Sequence, residues 1–137
     1  SQEERSVKKT ILINSILSEV IASMGHTDTI AIADSGLPIP KGVERIDLAL
    51  TRGIPRFLDT LRVILSELCV EEAIIASEIK EKSPETYAEL VKILGNIPVK
   101  EVSHEELKVM TKECVAVVRT GEYTPYCNII LRSGVVF

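Results

Sequence analysis

No stretch of this 137-residue chain approaches the roughly 20 consecutive apolar residues that a membrane-spanning helix needs, so no membrane partner is expected. The amino-terminal Ser1-Gln2-Glu3-Glu4-Arg5-Ser6 is polar and has no signal-peptide core. Residues 1–7 are expected to be a disordered or non-native extension, which leaves 8–137 as the folded unit. Positive charge is not concentrated either. Lys and Arg number 16 against 20 Asp and Glu, and the one basic cluster, Arg5 to Lys9, is interrupted by Ser6 and Val7. Nucleic-acid binding needs a basic stripe, so no nucleic-acid partner is expected. Cysteine is sparse: Cys69, Cys114 and Cys127 are odd in number and lack Cys-x-x-Cys spacing. With no secretory signal, they read as reduced thiols of a cytoplasmic protein. The two histidines are far apart and have no cysteine nearby, which argues against structural zinc. There is no P-loop, no Gly-x-Gly-x-x-Gly after a strand and no Gly-x-Ser-x-Gly elbow, and the lone Gly121 cradles no evident phosphate. No cofactor is expected.

What is present suits one compact domain. Hydrophobic residues make up 45% and charged residues 26% of the chain, enough to bury a core and too apolar for disorder. Ile16, Leu17, Val20, Ile21 and Met24 recur at helical spacing after Asn14 or Ser15 as cap, and Gly25 is expected to supply a left-handed terminating residue. Thr29 to Ala33 reads as a buried strand, and Asp34 to Pro40 as a loop. The alternating Ile46, Leu48 and Leu50 suggest a second strand. Pro55 is placed in the first turn of a helix burying Phe57, Leu58, Leu61, Ile64, Leu65 and Leu68. Ala73–Ala76, Val99–Val102, Val115–Val118 and Ile129–Leu131 read as further strands. Between them fall a helix from Ser83-Pro84 to Gly95 and a short one capped by Ser103 and Glu106. Strands alternating with helices predict a three-layer α/β/α sandwich on a mostly parallel, mixed sheet, with the last two strands paired antiparallel across their short connection. The apolar tail Val135-Val136-Phe137 is expected either to fold onto the core or to fill an oligomer interface.

Ligands of open α/β sheets collect beyond the carboxyl ends of the parallel strands. Asp34, His104 and the Tyr126–Asn128 loop fall where that rule points, whereas His26 lies just before the first strand and needs a neighbouring loop or another subunit to join them. His26 has two readings. One is a helix-end histidine favoured by the dipole; the other is a general acid/base whose ring Asp28 restrains. Asp34 makes either an Asx turn or an acceptor for vicinal hydroxyls, held by the stiff loop Ser35-Gly36-Leu37-Pro38-Ile39-Pro40. His104 is either a surface residue or a ligand group, with Lys108 one turn beyond it on the same face. Tyr126 reads as a hairpin aromatic or a ligand contact, and Asn128 as a left-handed turn residue or a ligand contact. Cys127 has no adjacent base to activate it. The residues alone thus reach a small polar, uncharged ligand and acid/base chemistry.

Four segments carry a more specific signal. Gly25-His26-Thr27-Asp28, Asp34-Ser35-Gly36-Leu37-Pro38-Ile39-Pro40, Arg45-Ile46-Asp47-Leu48-Ala49 and Thr120-Gly121-Glu122-Tyr123-Thr124-Pro125-Tyr126-Cys127-Asn128-Ile129 stand in the order and spacing of the D-ribose pyranase family, which the chain resembles from about Lys8 to Phe137. The resemblance implies interconversion of the pyranose and furanose forms of D-ribose, supplying furanose to ribokinase in the cytoplasm. It also implies a homodecamer of two stacked pentameric rings, with sites at subunit boundaries. By position, His26 is then the proton donor, and Asp34, His104, Tyr126 and Asn128 bind the sugar. Lys108 is added for its place after His104, and Cys127 through its backbone. Ser35 stands where the family commonly has Ala, and Cys127 where it commonly has a smaller residue; neither change removes a functional group. The related L-fucose mutarotases share the Gly-His and Gly-Glu segments but lack Leu-Pro-Ile-Pro, so Asp34 to Pro40 favours ribose. A fucose-type mutarotase and a non-catalytic accessory of ribose uptake are the competing expectations.

Overall fold

A computed structural model describes residue 12 and residues 14–135. The expectations for residues 1–7 and for Val136 and Phe137 fall outside these residues. Asn14 starts helix α1 (Ser15–Ser23) by accepting the Leu17 amide at 2.8 Å. The helix does not end on a left-handed glycine: Met24 leaves it extended, and the positive φ of 74° belongs to Thr27. Asp28 accepts the Gly25 amide at 2.9 Å, and Ser133, on the strand paired with the one that follows this turn, donates to the Asp28 carbonyl at 3.1 Å, so the reversal occurs two residues later than the glycine predicts.

Strands β1 (Thr29–Ala33), β2 (Glu44–Asp47), β3 (Val70–Ala76), β4 (Val99–Val102), β5 (Ala116–Arg119) and β6 (Ile129–Ser133) form one sheet in the order β2-β5-β1-β6-β3-β4. Strand β6 runs antiparallel to its neighbours β1 and β3, and every other pairing is parallel. The sheet is therefore mixed and mostly parallel, as expected, but β6 does not pair with β5. It crosses β1 and inserts between β1 and β3, where its Ile129, Ile130 and Leu131 are buried from both faces.

Helices cover both faces. On one side α1, α2 (Phe57–Glu67) and α4 (Pro84–Leu94) pack Leu17, Phe57, Leu61, Ile64 and Leu90 against Ile30, Ile32, Ile75 and Ile129. On the other, α5 (His104–Met110) lays Leu107 on Ala31, Ile74 and Val117 beside Leu37 of the Asp34 loop. A further short helix, α3 (Ile79–Lys82), goes unpredicted because it has a single apolar anchor, Ile79. Strand β2 stops at Asp47, whose carboxylate accepts the Ala49 amide at 3.1 Å, so Leu48 and Leu50 lie beyond it and Leu50 is 81% exposed. Pro55 precedes the α2 cap Arg56 rather than entering the helix. Among the described residues no helix is long and apolar enough to cross a membrane.

Candidate functional site

The sheet topology brings the carboxyl end of β1 and the amino end of β6 to the same edge, and there Asp34 meets Asn128. The fully buried Asn128 accepts the Asp34 amide at 2.9 Å and donates through Nδ2 to the Asp34 carboxylate at 3.2 Å. The other Asp34 oxygen accepts the Gly36 amide at 3.0 Å, so the Asx turn is real and coexists with a carboxylate face left for a ligand. Burial raises the Asp34 pKa above the ordinary 3.8; the bonds from Gly36 and Asn128 oppose this without cancelling it.

Asp34, Gly36, Leu37, Pro38, His104, Lys108, Pro125 and Tyr126 enclose a pocket of about 400 Å³. Ser103 caps α5 by accepting the Glu106 amide at 3.1 Å, and Glu78 accepts the His104 amide at 3.0 Å, which fixes His104 in the first turn. Its ring meets Tyr126 edge to face, with centroids 5.0 Å apart, and its Nδ1 is buried without a hydrogen-bond partner among the described residues. The left-handed residue of this loop is Tyr126 (φ 63°), not Asn128, and Asn128 closes the turn by donating its amide to the Tyr126 carbonyl at 3.0 Å. A non-glycine residue in that conformation costs on the order of 1 kcal/mol, and such strain gathers at ligand sites. Lys108 reaches the pocket rim while paired with Glu105 at 2.8 Å.

Of the residues nominated from sequence, Asp34, His104, Lys108 and Tyr126 thus line one pocket, and Asn128 lies beneath it holding Asp34. Cys127 is buried, and that burial, aided by nearby Glu122 and Asp34, pushes its thiol up to about 12, so it is not a nucleophile. His26 is elsewhere. Strand β1 separates it from Asp34, and five residues at about 3.3 Å each put roughly 16 Å between the two ends. Nor does Asp28 restrain its ring: its carboxylate accepts the Gly25 amide instead. The partner is Glu71, whose Oε2 lies 3.0 Å from His26 Nε2.

Three supporting acids escaped the sequence reading because their partners are remote in the chain. Glu71 acts across 45 residues, Glu78 holds His104 across 26, and Glu122 reaches Phe57 across 65. The buried Glu122 accepts the amides of Phe57 and Thr124 and the Thr124 hydroxyl and pairs with Arg56 at 3.5 Å, so it caps α2, whose own N-cap side chain, Arg56, makes no capping hydrogen bond. Gly121 is required for close approach: its amide donates to the Pro55 carbonyl at 2.8 Å, and its carbonyl accepts from Gly53. Its position in Thr120-Gly121-Glu122 was the available signal.

Fold and pocket together define a small α/β protein with a polar-ligand site at the strand ends. The chain belongs to the RbsD / FucU transport protein family, whose model matches residues 7–136. It is 95% identical over 131 residues to a D-ribose pyranase of Coprothermobacter proteolyticus, covering 96% of this chain and all of that one. A D-ribose pyranase of Clostridium novyi is 58% identical over the same coverage. Among solved structures, Bacillus subtilis RbsD complexed with D-ribose superposes with a TM-score of 0.93 at 47% identity, covering 96% of this chain and all of that one. FucU from Bifidobacterium longum gives 0.77 at 25% identity over 91% and 97% of the two chains. The resemblance read from the four motifs is borne out.

Proposed function

We propose that this chain is a D-ribose pyranase, an isomerase that opens the six-membered ring of the sugar and closes it on a different hydroxyl to give the furanose. The carrying observation is the 95% identity to a D-ribose pyranase over essentially the whole chain, together with a pocket that offers hydroxyl-binding groups. The identities of 95% and 58% to pyranases, against 25% to the FucU structure, favour ribose over fucose.

The chemistry follows from hemiacetal reactivity. Ring opening removes the proton of the anomeric hydroxyl and delivers one to the ring oxygen as the bond between that oxygen and the anomeric carbon breaks. Closure reverses these transfers with another hydroxyl attacking the aldehyde. Asp34 accepts from sugar hydroxyls, and His104, Tyr126, Lys108 and the Cys127 backbone complete the binding set. Asn128 joins the sugar or acts by orienting Asp34. His26 is the proton donor, worth typically 10²–10⁴-fold.

Because His26 and the pocket occupy opposite ends of β1, His26 serves the pocket of a second copy. A decamer of two stacked pentamers, with sites at subunit boundaries, is the assembly we propose. The three free cysteines support a cytoplasmic location, where the product feeds a furanose-consuming kinase. Saturation-transfer NMR on equilibrated D-ribose and on L-fucose tests the reading. Pyranose–furanose exchange of ribose above the buffer blank is expected. Acceleration of fucose anomers alone would assign the fucose reaction, and broadening without exchange would assign a binding accessory.

A further inference from the structure

The turn that carries the half-exposed His26 is tied to strand β6. Ser133 Oγ donates to the carbonyl of Gly25 and, at 3.1 Å, to that of Asp28; Thr27 donates its amide to the Ser133 carbonyl at 3.0 Å. The residue facing the ring is equally specific. Strand β3 pairs Val70 with Ser133 and Glu72 with Arg132, so two steps on β3 oppose one on β6 and Glu71 is the extra residue of a bulge. A bulge re-aims the side chain it carries. Here it frees Glu71 from the ladder and brings its carboxylate to 3.0 Å from His26 Nε2, while the next residue, Glu72, goes to Arg132 at 2.7 Å.

We propose that Glu71 is the positioning residue of His26: bulged out of β3, it holds the Nε2–H and leaves Nδ1 as the nitrogen that exchanges a proton with the sugar. An ionised carboxylate can only accept, so the neutral ring must carry its hydrogen on Nε2 to keep this bond. Among the described residues nothing else bonds the His26 ring. A surface ion pair alone adds little stability, so Glu71 acts by fixing which nitrogen faces the substrate and at what angle. This inference rests on His26 being the proton donor.

The test compares His26→Ala, Glu71→Ala and the control Glu72→Ala, each checked for the assembly of the unsubstituted protein. The readouts are kcat and KM for ribose exchange and the ring ¹⁵N resonances of His26. Glu71→Ala is expected to lower kcat about 10- to 100-fold with KM changed less than about threefold, as misplacement of a proton-transfer group does. Its ring resonances should move toward those of a tautomer-averaging imidazole, and Glu72→Ala should alter neither quantity. Near-normal kcat in Glu71→Ala with His26→Ala inactive would overturn the role of Glu71. Near-normal kcat in His26→Ala would instead overturn the assignment of the proton donor, and unchanged ¹⁵N resonances in Glu71→Ala would then separately exclude control of the ring.

Discussion

Replacing Asn128 by Asp changes one heavy atom and tests how the pocket sets the charge of Asp34. The Asn128 Nδ2 that donates to Asp34 at 3.2 Å becomes a second carboxylate oxygen, while the other end can still accept the Asp34 amide. At an effective dielectric near 20, two unit charges at that separation repel by about 5 kcal/mol. Asp34 keeps a solvent-facing edge, so screening reduces this to about 2–3 kcal/mol, or roughly two pKa units. The pair then holds one proton between its members at pH values where wild-type Asp34 is ionised. In the wild type burial already raises Asp34, so sugar binding through the carboxylate is present above that raised pKa and lost as pH falls through it. The acid limb of kcat/KM for ribose exchange should therefore move up by about two pH units in Asn128→Asp, with far-UV circular dichroism unchanged. A folded variant whose acid limb stays within about 0.3 unit of the wild type would refute the claim that ionised Asp34 binds the sugar under the control of Asn128.

Glu122→Ala leaves the buried Phe57 amide without a partner and removes both bonds to Thr124, so denaturant midpoints should report a loss of about 2–4 kcal/mol. Burial raises the Glu122 pKa, but the donors from Thr124 and Phe57 and the Arg56 charge win and lower it below 4.5. Its contribution is thus complete above pH 4.5 and disappears as pH falls through the lowered value, so the penalty of Glu122→Ala should shrink in acid. At Gly121 a Cβ would lie 2.6 Å from the Ile54 carbonyl oxygen, 2.7 Å from its nitrogen and nearer still to the Thr51 oxygen; Gly121→Ala should cost about 1–3 kcal/mol in the same assay. Iodoacetamide should label the exposed Cys69 and spare Cys127, whose thiol is pushed up to about 12, with exchange activity retained; mass spectrometry reads the sites.

The parts of the fold that local pattern encodes were legible in the sequence. Strands β1, β3, β5 and β6 are short apolar runs because the sheet is covered on both faces, and α2 and α4 show their stripes because one face of each is solvated. Leu48 and Leu50 imitated a strand because alternation alone does not register the Asp47 turn that ends β2. The insertion of β6 between β1 and β3 is a long-range choice that leaves no local mark. The same division holds at the site. Asp34, His104 and Tyr126 were readable because they follow strands at the ligand-bearing edge of an α/β sheet. Glu71 was not, since its role depends on a bulge and on a partner 45 residues away, and Asp28 drew attention only by sequence proximity.

The proposed site unites the Asp34 pocket of one copy with His26 of another. Mixing His26→Ala with Asp34→Ala, after dissociation and reassembly, tests this directly by ribose exchange. Each variant alone should be inactive, whereas in an equal mixture about one quarter of the sites would unite an intact pocket with an intact histidine, restoring about that share of the wild-type rate. No recovery in mixtures that demonstrably co-assemble would place both residues in the same subunit's site and contradict the account.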